Sequence, residues 1–512
     1  MSCVTGASLH GIDGVPVEVE VGLSSQLPRV DIVGLPEASV RESAARVRSA
    51  IRAIDRRFPD RRVTVNLAPA SLRKCGAGLD LAIAVGILAA AGEIPAEALE
   101  GRAFVGELAL DGRVRPVAGA LALALALERA GVRELVMAAP CAHQAAASDG
   151  LEVRAAPHLA NVVAHLLGGE PLPLVAPELA PERGAEHHTP CISEVRGQEH
   201  ARRALVVAAA GGHGLFLHGA PGAGKTMLAK RLPGLLPPLS RDEAVEASRI
   251  HGSAGLLAAE QALLWWRPFR APHHTASSAG LLGGGRPVHP GEISLAHHGV
   301  LFLDELPEFD RRCLEALRQV IEDRRIDIAR AEGLMRFPAD FMLVAAANPC
   351  PCGFHRSGLR DCRCDDATIS RYRQRLSGPL LDRIDLHVPV PPVPWQALSG
   401  DDADAGGETS ASIRPTVART RSVQIARSGC VNARIPDRDL DATVAASAGA
   451  RALLARAVER LGLSARAARR CLRVARTLAD LEGEAGVAEP HMAEALGYRD
   501  EEGERWAGTG PR

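Results

Sequence analysis

The sequence predicts an α/β protein in which a central parallel-sheet domain is flanked by an α/β domain and a helical domain. A glycine-rich phosphate-binding pattern at 219–226 lies between a strand-like and a helix-like run. A second apolar run ends in two carboxylates, Asp304 and Glu305. Two proline-rich stretches, 170–190 and 391–412, are typical of linkers. The predicted units are an N-terminal domain over 1–169, a core over 191–390 and a C-terminal helical domain over 413–512.

Composition limits the functional classes. A chain of 512 residues has room for about three domains. The hydrophobic content of 46% predicts globular cores, and a net charge of −1 means that any nucleic-acid surface must be local. The longest apolar runs, 81–92 and 117–127, are too short to span a membrane, and no signal peptide is visible. We therefore expect a cytoplasmic protein without a membrane partner.

The phosphate-binding pattern carries the strongest prediction of chemistry. The run 214–217 before it predicts a short buried strand, and 226–232 after it predicts a helix. Its glycines allow a tight turn that aims backbone N–H groups at phosphate oxygens. Lys225 would reach the β- and γ-phosphates of ATP, and Thr226 would ligate Mg²⁺. The alternative is an ordinary glycine-rich turn. The residues of the pattern are Gly219, Ala220, Pro221, Gly222, Ala223, Gly224, Lys225 and Thr226.

Two further strands are predicted to end at the same ligand crevice. The run 299–303 is too short for a helix and is followed by Asp304, a candidate Mg²⁺ ligand, and Glu305, a candidate base for the attacking water. The run 341–347 ends at Asn348, whose amide can hydrogen-bond the γ-phosphate or the water. A simple strand cap is the alternative for Asn348.

Four cysteines form one compact cluster, in a loop over 350–364. Four thiolates on so short a loop suit a closed tetrahedral Zn²⁺ site. The C-x-C spacing is less specific than C-x-x-C, and free thiols or a redox pair remain the alternative. The candidate ligands are Cys350, Cys352, Cys362 and Cys364.

The phosphate loop, acidic strand and polar strand end, in this order, resemble the AAA+ ATPases. More specific runs extend the resemblance, over nearly the whole chain, to the magnesium-chelatase-like group and its competence-associated DNA helicases. These runs are 195–198, 208–213, 267–274, 290–296, 348–353, 377–387 and 472–481.

The resemblance implies a Lon-protease-like N-terminal domain, an AAA+ core and a C-terminal helical lid. A hairpin signal, Asp111–Gly112, lies within 106–115. The protease nucleophile would be a serine after Lys74, but Cys75 follows and no activating base is evident. We therefore expect a non-proteolytic domain in which Cys75 is a core thiol.

The resemblance also implies two catalytic arginines. Arg383 matches the arginine finger that such ATPases insert into a neighbour's site, and Arg466 matches the sensor 2 arginine. Ser464 is a good N-cap, which would place Arg466 in a first helical turn, where a cation needs an anion to offset the dipole. The alternatives are a pair between Arg383 and Asp382 or Asp385, and a solvated basic helix face for Arg466.

The segment 265–290 exceeds what a plain AAA+ core needs. In a ring ATPase it could line the central pore and grip a nucleic-acid backbone, or it could be an ordered surface loop. Its relevant residues are Arg267, Arg270, His273, His274, Gly283–Gly285 and Arg286.

The resemblance leaves two function classes. One is a homo-oligomeric, hexameric ring ATPase that moves on single-stranded or branched DNA and drives branch migration. The other is a magnesium-chelatase-like ATPase that remodels a protein partner.

Overall fold

The computed structural model describes residues 1–177, 189–258, 261–330, 333–376, 378–393 and 408–499. Parts of both predicted linkers, Ser377 of the family-like runs and the end of the predicted C-terminal domain lie outside these residues.

The N-terminal part is a seven-stranded mixed sheet with helices packed on it. The strands are β1 (Ser2–His10), β2 (Asp13–Ser24), β3 (Val30–Val33), β4 (Arg62–Ala68), β5 (Arg102–Val105), β6 (Glu107–Leu108), β7 (Val114–Arg115), β8 (Glu134–Ala138) and β9 (Glu152–Ala156). The helices are α1 (Ala38–Arg41), α2 (Ser43–Ala53), α3 (Asp80–Ala90), α4 (Ala120–Arg129), α5 (Ala139–Ala145) and α6 (Leu159–Leu166). The sheet order is β3-β4-β2-β1-β5-β8-β9, with β6 and β7 forming a separate hairpin.

Local sequence explains these elements. Along β4, half-buried and buried residues alternate, as period-two patterning requires. The predicted hairpin is confirmed, because Glu107 pairs with Arg115 on either side of the Asp111–Gly112 turn. Cys75 is only half-buried, so the prediction of a core thiol is wrong; its amide N–H donates to Ser8 Oγ at 3.2 Å.

The central part is built on five parallel strands. These are β10 (Leu215–His218), β11 (Phe269–Arg270), β14 (Val300–Leu303), β17 (Met342–Ala347) and β18 (Leu386–Pro389). Their order in the sheet is β11-β14-β17-β10-β18. Two antiparallel hairpins project from it, β12 (Gly283–Gly284) with β13 (His289–Pro290), and β15 (Arg325–Arg330) with β16 (Gly333–Pro338). The helices are α7 (Glu199–Gly211), α8 (Lys225–Ala229), α9 (Leu232–Leu235), α10 (Arg241–Ser253), α11 (Ser278–Leu282), α12 (Glu292–Leu295), α13 (Arg311–Asp323), α14 (Asp366–Arg373) and α15 (Gly378–Leu381).

The C-terminal part consists of helices. They are α16 (Ser410–Ser428), α17 (Leu440–Val444), α18 (Ala448–Leu461), α19 (Ala465–Glu482) and α20 (Glu489–Gly497). Helix α16 begins inside the segment predicted as linker, because the Thr409 side chain caps it by accepting a hydrogen bond from the Ser412 amide at 3.1 Å. One hydrophobic cluster joins these helices to one face of the central sheet.

The N-terminal part packs against the central part. The Gly119 amide of the α4 N-cap donates to the Gly252 carbonyl of α10 at 3.0 Å. Ile12, in the turn between β1 and β2, is buried in the same cluster as Met335 and Phe337 of β16. Among the described helices, none is both long enough and apolar enough to cross a membrane.

Candidate nucleotide-binding site

The phosphate loop connects β10 to α8, as its pattern predicts. Gly222 and Gly224 have φ angles of 78° and 95°, in the left-handed region that favours glycine. A side chain at Gly219 would collide with the chain after β18, because an added Cβ would lie 2.2 Å from the Val390 carbonyl oxygen. The glycines are therefore required by the turn and by its close packing.

Lys225 lies at the centre of this loop. Its Nζ donates to the carbonyls of Gly219 at 2.7 Å and Ala220 at 2.9 Å, and to Asn348 Oδ1 at 3.0 Å. Burial lowers the pKa of Lys225 to about 8, although Asp304 and Glu305 act in the opposite direction. A phosphate anion would offset this cost of burying the ammonium group.

Thr226 and Asp304 meet across the sheet edge. Thr226 Oγ1 donates to Asp304 Oδ2 at 2.7 Å, so a hydroxyl and a carboxylate converge beside the phosphate loop. Oxygen ligands of this kind suit Mg²⁺, which is held by few protein groups and by phosphates. The residues present therefore fit the metal and the nucleotide that the sequence predicts.

Glu305 stands beside this pair in an unusual conformation. Its φ angle is 51°, and its amide donates to Asp304 Oδ1 at 3.0 Å. Its side chain is about half exposed, at 47%. Non-glycine residues in the left-handed region are uncommon and cluster at functional sites.

Sequence reasoning missed one contact of Glu305. His274 Nδ1 lies 3.2 Å from Glu305 Oε2 and 28% of the His274 side chain is exposed. Strand β11 ends at Arg270 beside β14, so the chain after it emerges at the edge where Glu305 lies. No sequence pattern marks this contact, because it depends on the pairing of β11 with β14 in the folded protein.

Arg383 and Arg466 lie together, but away from this edge. Arg383 is 8% exposed, and its Nη2 lies 2.6 Å from Glu322 Oε1. Arg466 Nη2 lies 3.4 Å from the same oxygen, and about half of its side chain is exposed. Ser464 Oγ accepts from the Ala467 amide at 3.1 Å, which confirms the predicted N-cap.

The predicted alternative partners of Arg383 are wrong. Asp382 accepts a hydrogen bond from Ser464 Oγ at 3.2 Å. Asp385 is buried, forms an ion pair with Arg470 and lies 3.0 Å from His213 Nδ1. Glu322 of α13, distant in sequence, is the carboxylate that Arg383 contacts instead.

The two arginines line a cavity of about 640 Å³ with Gly214 and Phe341, which immediately precede β10 and β17. The phosphate loop and Asn348 follow the opposite ends of the same two strands. A four-residue strand such as β10 spans about 13 Å. Arg383 and Arg466 thus lie at the edge of the sheet opposite the phosphate loop of their own chain.

The four predicted cysteine ligands converge. Cys350 Sγ lies 3.4 Å from Cys352 Sγ and 3.7 Å from Cys362 Sγ, and Cys352 and Cys362 are 3.6 Å apart. All four sulfurs, including that of Cys364, lie within 4.8 Å of one another. Hydrogen bonds from the Arg363 and Phe354 backbone lower the pKa of Cys352 to about 6. At Cys362 and Cys364 a backbone hydrogen bond lowers the pKa, but burial and the neighbouring Cys350 and Cys352 sulfurs outweigh it, so both pKa values are raised.

A second group of possible ligands, Glu246, His297 and His298, is better described as a hydrogen-bonded cluster. His297 Nε2 and His298 Nε2 lie 3.1 and 2.8 Å from Glu246 Oε2. His297 Nδ1 accepts from the Asp340 amide at 2.9 Å, so the neutral ring carries its proton on Nε2. That nitrogen donates to Glu246 and has no lone pair for a metal.

The structure corrects the expectation that Arg267 and Arg270 grip nucleic acid. Arg267 Nη2 lies 2.9 Å from Glu243 Oε2, and Arg270 donates twice to Glu292, at 2.6 and 2.7 Å. These bidentate pairs hold the segment 265–290 to α10 and α12. Arg286, at the tip of the β12–β13 hairpin, is exposed instead.

Comparison with known proteins matches three family models to this chain. The family model "Magnesium chelatase, subunit ChlI" matches residues 191–398. "Subunit ChlI of Mg-chelatase" matches 19–140, and "Magnesium chelatase, subunit ChlI C-terminal" matches 407–499.

Relatives match over nearly the whole length. The competence protein ComM of Haemophilus influenzae is 45% identical over 506 residues, covering 98% of this chain and 97% of the relative. YifB of Escherichia coli is 42% identical over 501 residues, covering 98% of this chain and 97% of YifB. The magnesium-chelatase 67 kDa subunit of Heliobacterium mobile is 26% identical over 227 residues, covering 38% of this chain and 30% of that subunit. The chain therefore belongs to the magnesium-chelatase-like AAA+ ATPases of the ComM/YifB type.

Proposed function

We propose that this chain is the subunit of a hexameric AAA+ ring that hydrolyses ATP to move on DNA and drives branch migration while incoming DNA is integrated. The name of the Haemophilus relative, a competence protein, supports this direction. The observation that carries the DNA part of the proposal is a pair of adjoining hairpins with exposed arginines.

The hydrolytic roles follow the geometry of the strand ends. The phosphate-loop amides and Lys225 bind the β- and γ-phosphates, and Thr226 and Asp304 hold Mg²⁺, which supplies charge neutralisation. Glu305 orients the attacking water and takes its proton. Asn348, already bonded to Lys225 Nζ, is placed to hydrogen-bond the γ-phosphate or the water.

A ring is supported by where Arg383 and Arg466 lie. Both are on the edge of the sheet opposite the phosphate loop of their own chain, so neither can complete that site without a large rearrangement. In a head-to-tail ring the two edges of adjacent subunits face each other. The pair then stabilises developing charge on a nucleotide bound by the neighbouring subunit.

The two hairpins provide the local positive surface that a near-neutral chain needs. An added Cβ at Gly283 would lie 3.3 Å from Ile328 Cδ1, and one at Gly284 would lie 3.4 Å from Arg330 Nη2. The β12–β13 and β15–β16 hairpins therefore touch near their tips. Arg286 and Arg330 are both exposed there, as phosphate-backbone contacts require.

The test is DNA-stimulated ATP hydrolysis. We expect single-stranded or branched DNA to raise wild-type turnover, and Arg286→Ala with Arg330→Ala to reduce this stimulation while sparing basal turnover. Arg57→Ala with Arg61→Ala removes the same charge from an exposed stretch of the N-terminal part and should leave stimulation unchanged. If wild-type ATPase is indifferent to every DNA form, a protein-remodelling ATPase of the magnesium-chelatase kind replaces the DNA motor.

We also propose that Cys350, Cys352, Cys362 and Cys364 bind a structural Zn²⁺. Zinc–sulfur bonds of about 2.3 Å in a tetrahedron place sulfurs about 3.8 Å apart. The three observed separations of 3.4 to 3.7 Å approach this value. The convergence of all four sulfurs within 4.8 Å of one another supports this site over free thiols.

A further inference from the structure

The four-cysteine loop, residues 350–364, packs directly on the phosphate loop. Gly353 has a φ angle of 83°, and a Cβ added there would lie 2.4 Å from Pro221 Cγ and 2.5 Å from Pro221 Cδ. No side chain fits between them. The backbone of one loop thus lies against the ring of a residue that belongs to the phosphate-binding pattern.

The four-cysteine loop has little regular structure of its own. Neither a helix nor a strand is found from residue 350 to 364, all of which are described. Its first residues are fixed by Arg373 Nε, which donates to the Pro349 carbonyl at 3.3 Å, and by the Gly353 amide, which donates to the Cys350 carbonyl at 2.9 Å. A metal bound by the four sulfurs would join 350–352 to 362–364 and fix Gly353 in place.

The phosphate loop has an open face at this point. An added Cβ at Gly222 would meet no heavy atom within 4 Å. Other hydrogen bonds hold the flanks of the loop, including those from Lys225 Nζ and one from Gln198 Nε2 to the Ala223 carbonyl at 3.3 Å. Pro221, next to Gly222, is the position where Gly353 supplies packing.

We propose that the zinc-bound four-cysteine loop positions the phosphate loop through the contact between Gly353 and Pro221, so that zinc occupancy controls nucleotide affinity. This inference rests on the proposed zinc and ATP sites. It assigns the metal a role in the adjoining nucleotide site, beyond the local fold of its own loop.

The chain offers a matched pair of glycines for the test. Gly353 and Gly358 lie in the same loop with φ angles of 83° and 68°, so alanine is strained at both. Only Gly353 faces the phosphate loop, since nothing lies within 4 Å of an added Cβ at Gly358. Gly353→Ala should keep its zinc and weaken binding of a fluorescent ADP analogue about tenfold, a typical effect of overpacking, whereas Gly358→Ala should bind it like the wild type.

A second arm uses Pro221. Adding Pro221→Ala to Gly353→Ala removes the ring that collides with the new methyl group, and should recover most of the lost affinity relative to Pro221→Ala alone. A third arm removes zinc from the wild-type protein with a chelator. Affinity for the ADP analogue should fall and return when zinc is restored, and this effect should be smaller in Gly353→Ala.

The outcomes separate the hypotheses. A wild-type protein that holds no zinc or binds no nucleotide would contradict the proposed sites themselves. If zinc and nucleotide both bind but chelation leaves affinity unchanged, the coupling is refuted even when Gly353→Ala fails to fold. Equal affinity losses in Gly353→Ala and Gly358→Ala would refute the specific contact.

Discussion

At the scale of single residues, the proposed roles of Lys225 and Glu305 separate nucleotide binding from hydrolysis. Lys225 is 8% exposed and is held by two loop carbonyls and Asn348. Glu305 is about half exposed; its backbone N–H donates to Asp304 Oδ1, and its Oε2 lies 3.2 Å from His274 Nδ1. One residue is built into the phosphate loop, whereas the other can turn toward a water molecule.

This difference predicts distinct failures for the two side chains. Lys225→Ala should abolish nucleotide binding, because it removes the charge that meets the phosphates. Glu305→Gln should retain nucleotide affinity and lower turnover by about a hundredfold or more, since it removes only the proposed base. Affinity measured with a fluorescent ATP analogue and turnover measured by phosphate release distinguish them. If Glu305→Gln hydrolyses ATP at the wild-type rate, another group must be the base.

Residues whose role depends on local pattern were predictable, and residues whose role depends on tertiary partners were not. The phosphate loop and the four cysteines are defined by spacing within a few positions. Arg267 and Arg270 looked like free cations in sequence, but carboxylates about 20 residues away pair with them. The Glu322 contact of Arg383 likewise arises from folding and has no local signal.

At the scale of elements, a buried polar network fixes helix α19 to the central sheet. His213, after α7, contacts Asp385 through Nδ1 at 3.0 Å and Thr477 Oγ1 through Nε2 at 2.7 Å. Arg470 of α19 also pairs with Asp385. Arg466 lies one turn earlier on α19, so this network sets the position of the sensor 2 candidate.

The network predicts acid sensitivity. Burial disfavours the charged form of Asp385, but Arg470 and His213 outweigh it and hold the pKa of the carboxyl well below its usual value. A lowered folded-state pKa contributes stability above the unfolded pKa of about 3.9, and this stability is lost as the pH falls through the folded pKa. Asp385→Asn should therefore lower the free energy of unfolding by about 3 kcal/mol at neutral pH.

Urea unfolding across pH gives the measurement. The difference in free energy of unfolding between the wild type and Asp385→Asn should decrease as the pH falls below about 4. Asp60→Asn is the control, since Asp60 is exposed and contacts only the exposed Arg57 at 3.2 Å among the ion pairs of the described residues. If Asp385→Asn lowers the free energy of unfolding at neutral pH by less than about 0.5 kcal/mol, the proposed role of the network is contradicted.

The four-cysteine loop gives a second prediction at this scale. Protein purified without chelator should contain about one zinc per chain, and Cys350→Ser with Cys352→Ser should lose it, because two of four ligands are removed. Cys3→Ser with Cys75→Ser, outside the cluster, should keep the metal. Elemental analysis decides, and wild-type protein without zinc would rule the site out.

Elements with strong apolar patterning were predicted to within about one residue, and short polar elements were missed. The predicted runs 214–217, 299–303 and 341–347 correspond to β10, β14 and β17. The β12–β13 and β15–β16 hairpins gave no such signal. Glycine-rich two-residue strands carry no period, and strand β15 of the second hairpin is mostly exposed.

At the scale of the whole molecule, the proposed catalytic groups lie on two opposite edges of the central sheet. The phosphate loop, Asp304, Glu305 and Asn348 lie at one edge, and Arg383 and Arg466 lie at the other. If the proposed roles hold, a single chain carries two incomplete halves of a site. Under the proposed ring assembly, complete sites form where the edges of two subunits meet, and hydrolysis depends on assembly.

This division predicts complementation between inactive subunits. Arg383→Ala should leave ATP affinity nearly intact and lower turnover by about a hundredfold or more, because an arginine finger acts on transition-state charge. Lys225→Ala subunits cannot bind nucleotide but still carry Arg383. In a mixed ring, the Arg383 of a Lys225→Ala subunit can complete the intact phosphate loop of an Arg383→Ala neighbour, so turnover should rise above that of either variant alone.

Glu305→Gln mixed with Lys225→Ala is the control for this complementation. Both changes lie on the phosphate-loop side of the sheet, so every subunit of that ring lacks a working phosphate-loop side and no interface regains a complete site. Mixed assembly is verified with two affinity tags, and turnover is measured on doubly purified rings. Doubly tagged rings of Arg383→Ala and Lys225→Ala that hydrolyse no faster than the control would place the action of Arg383 within its own chain.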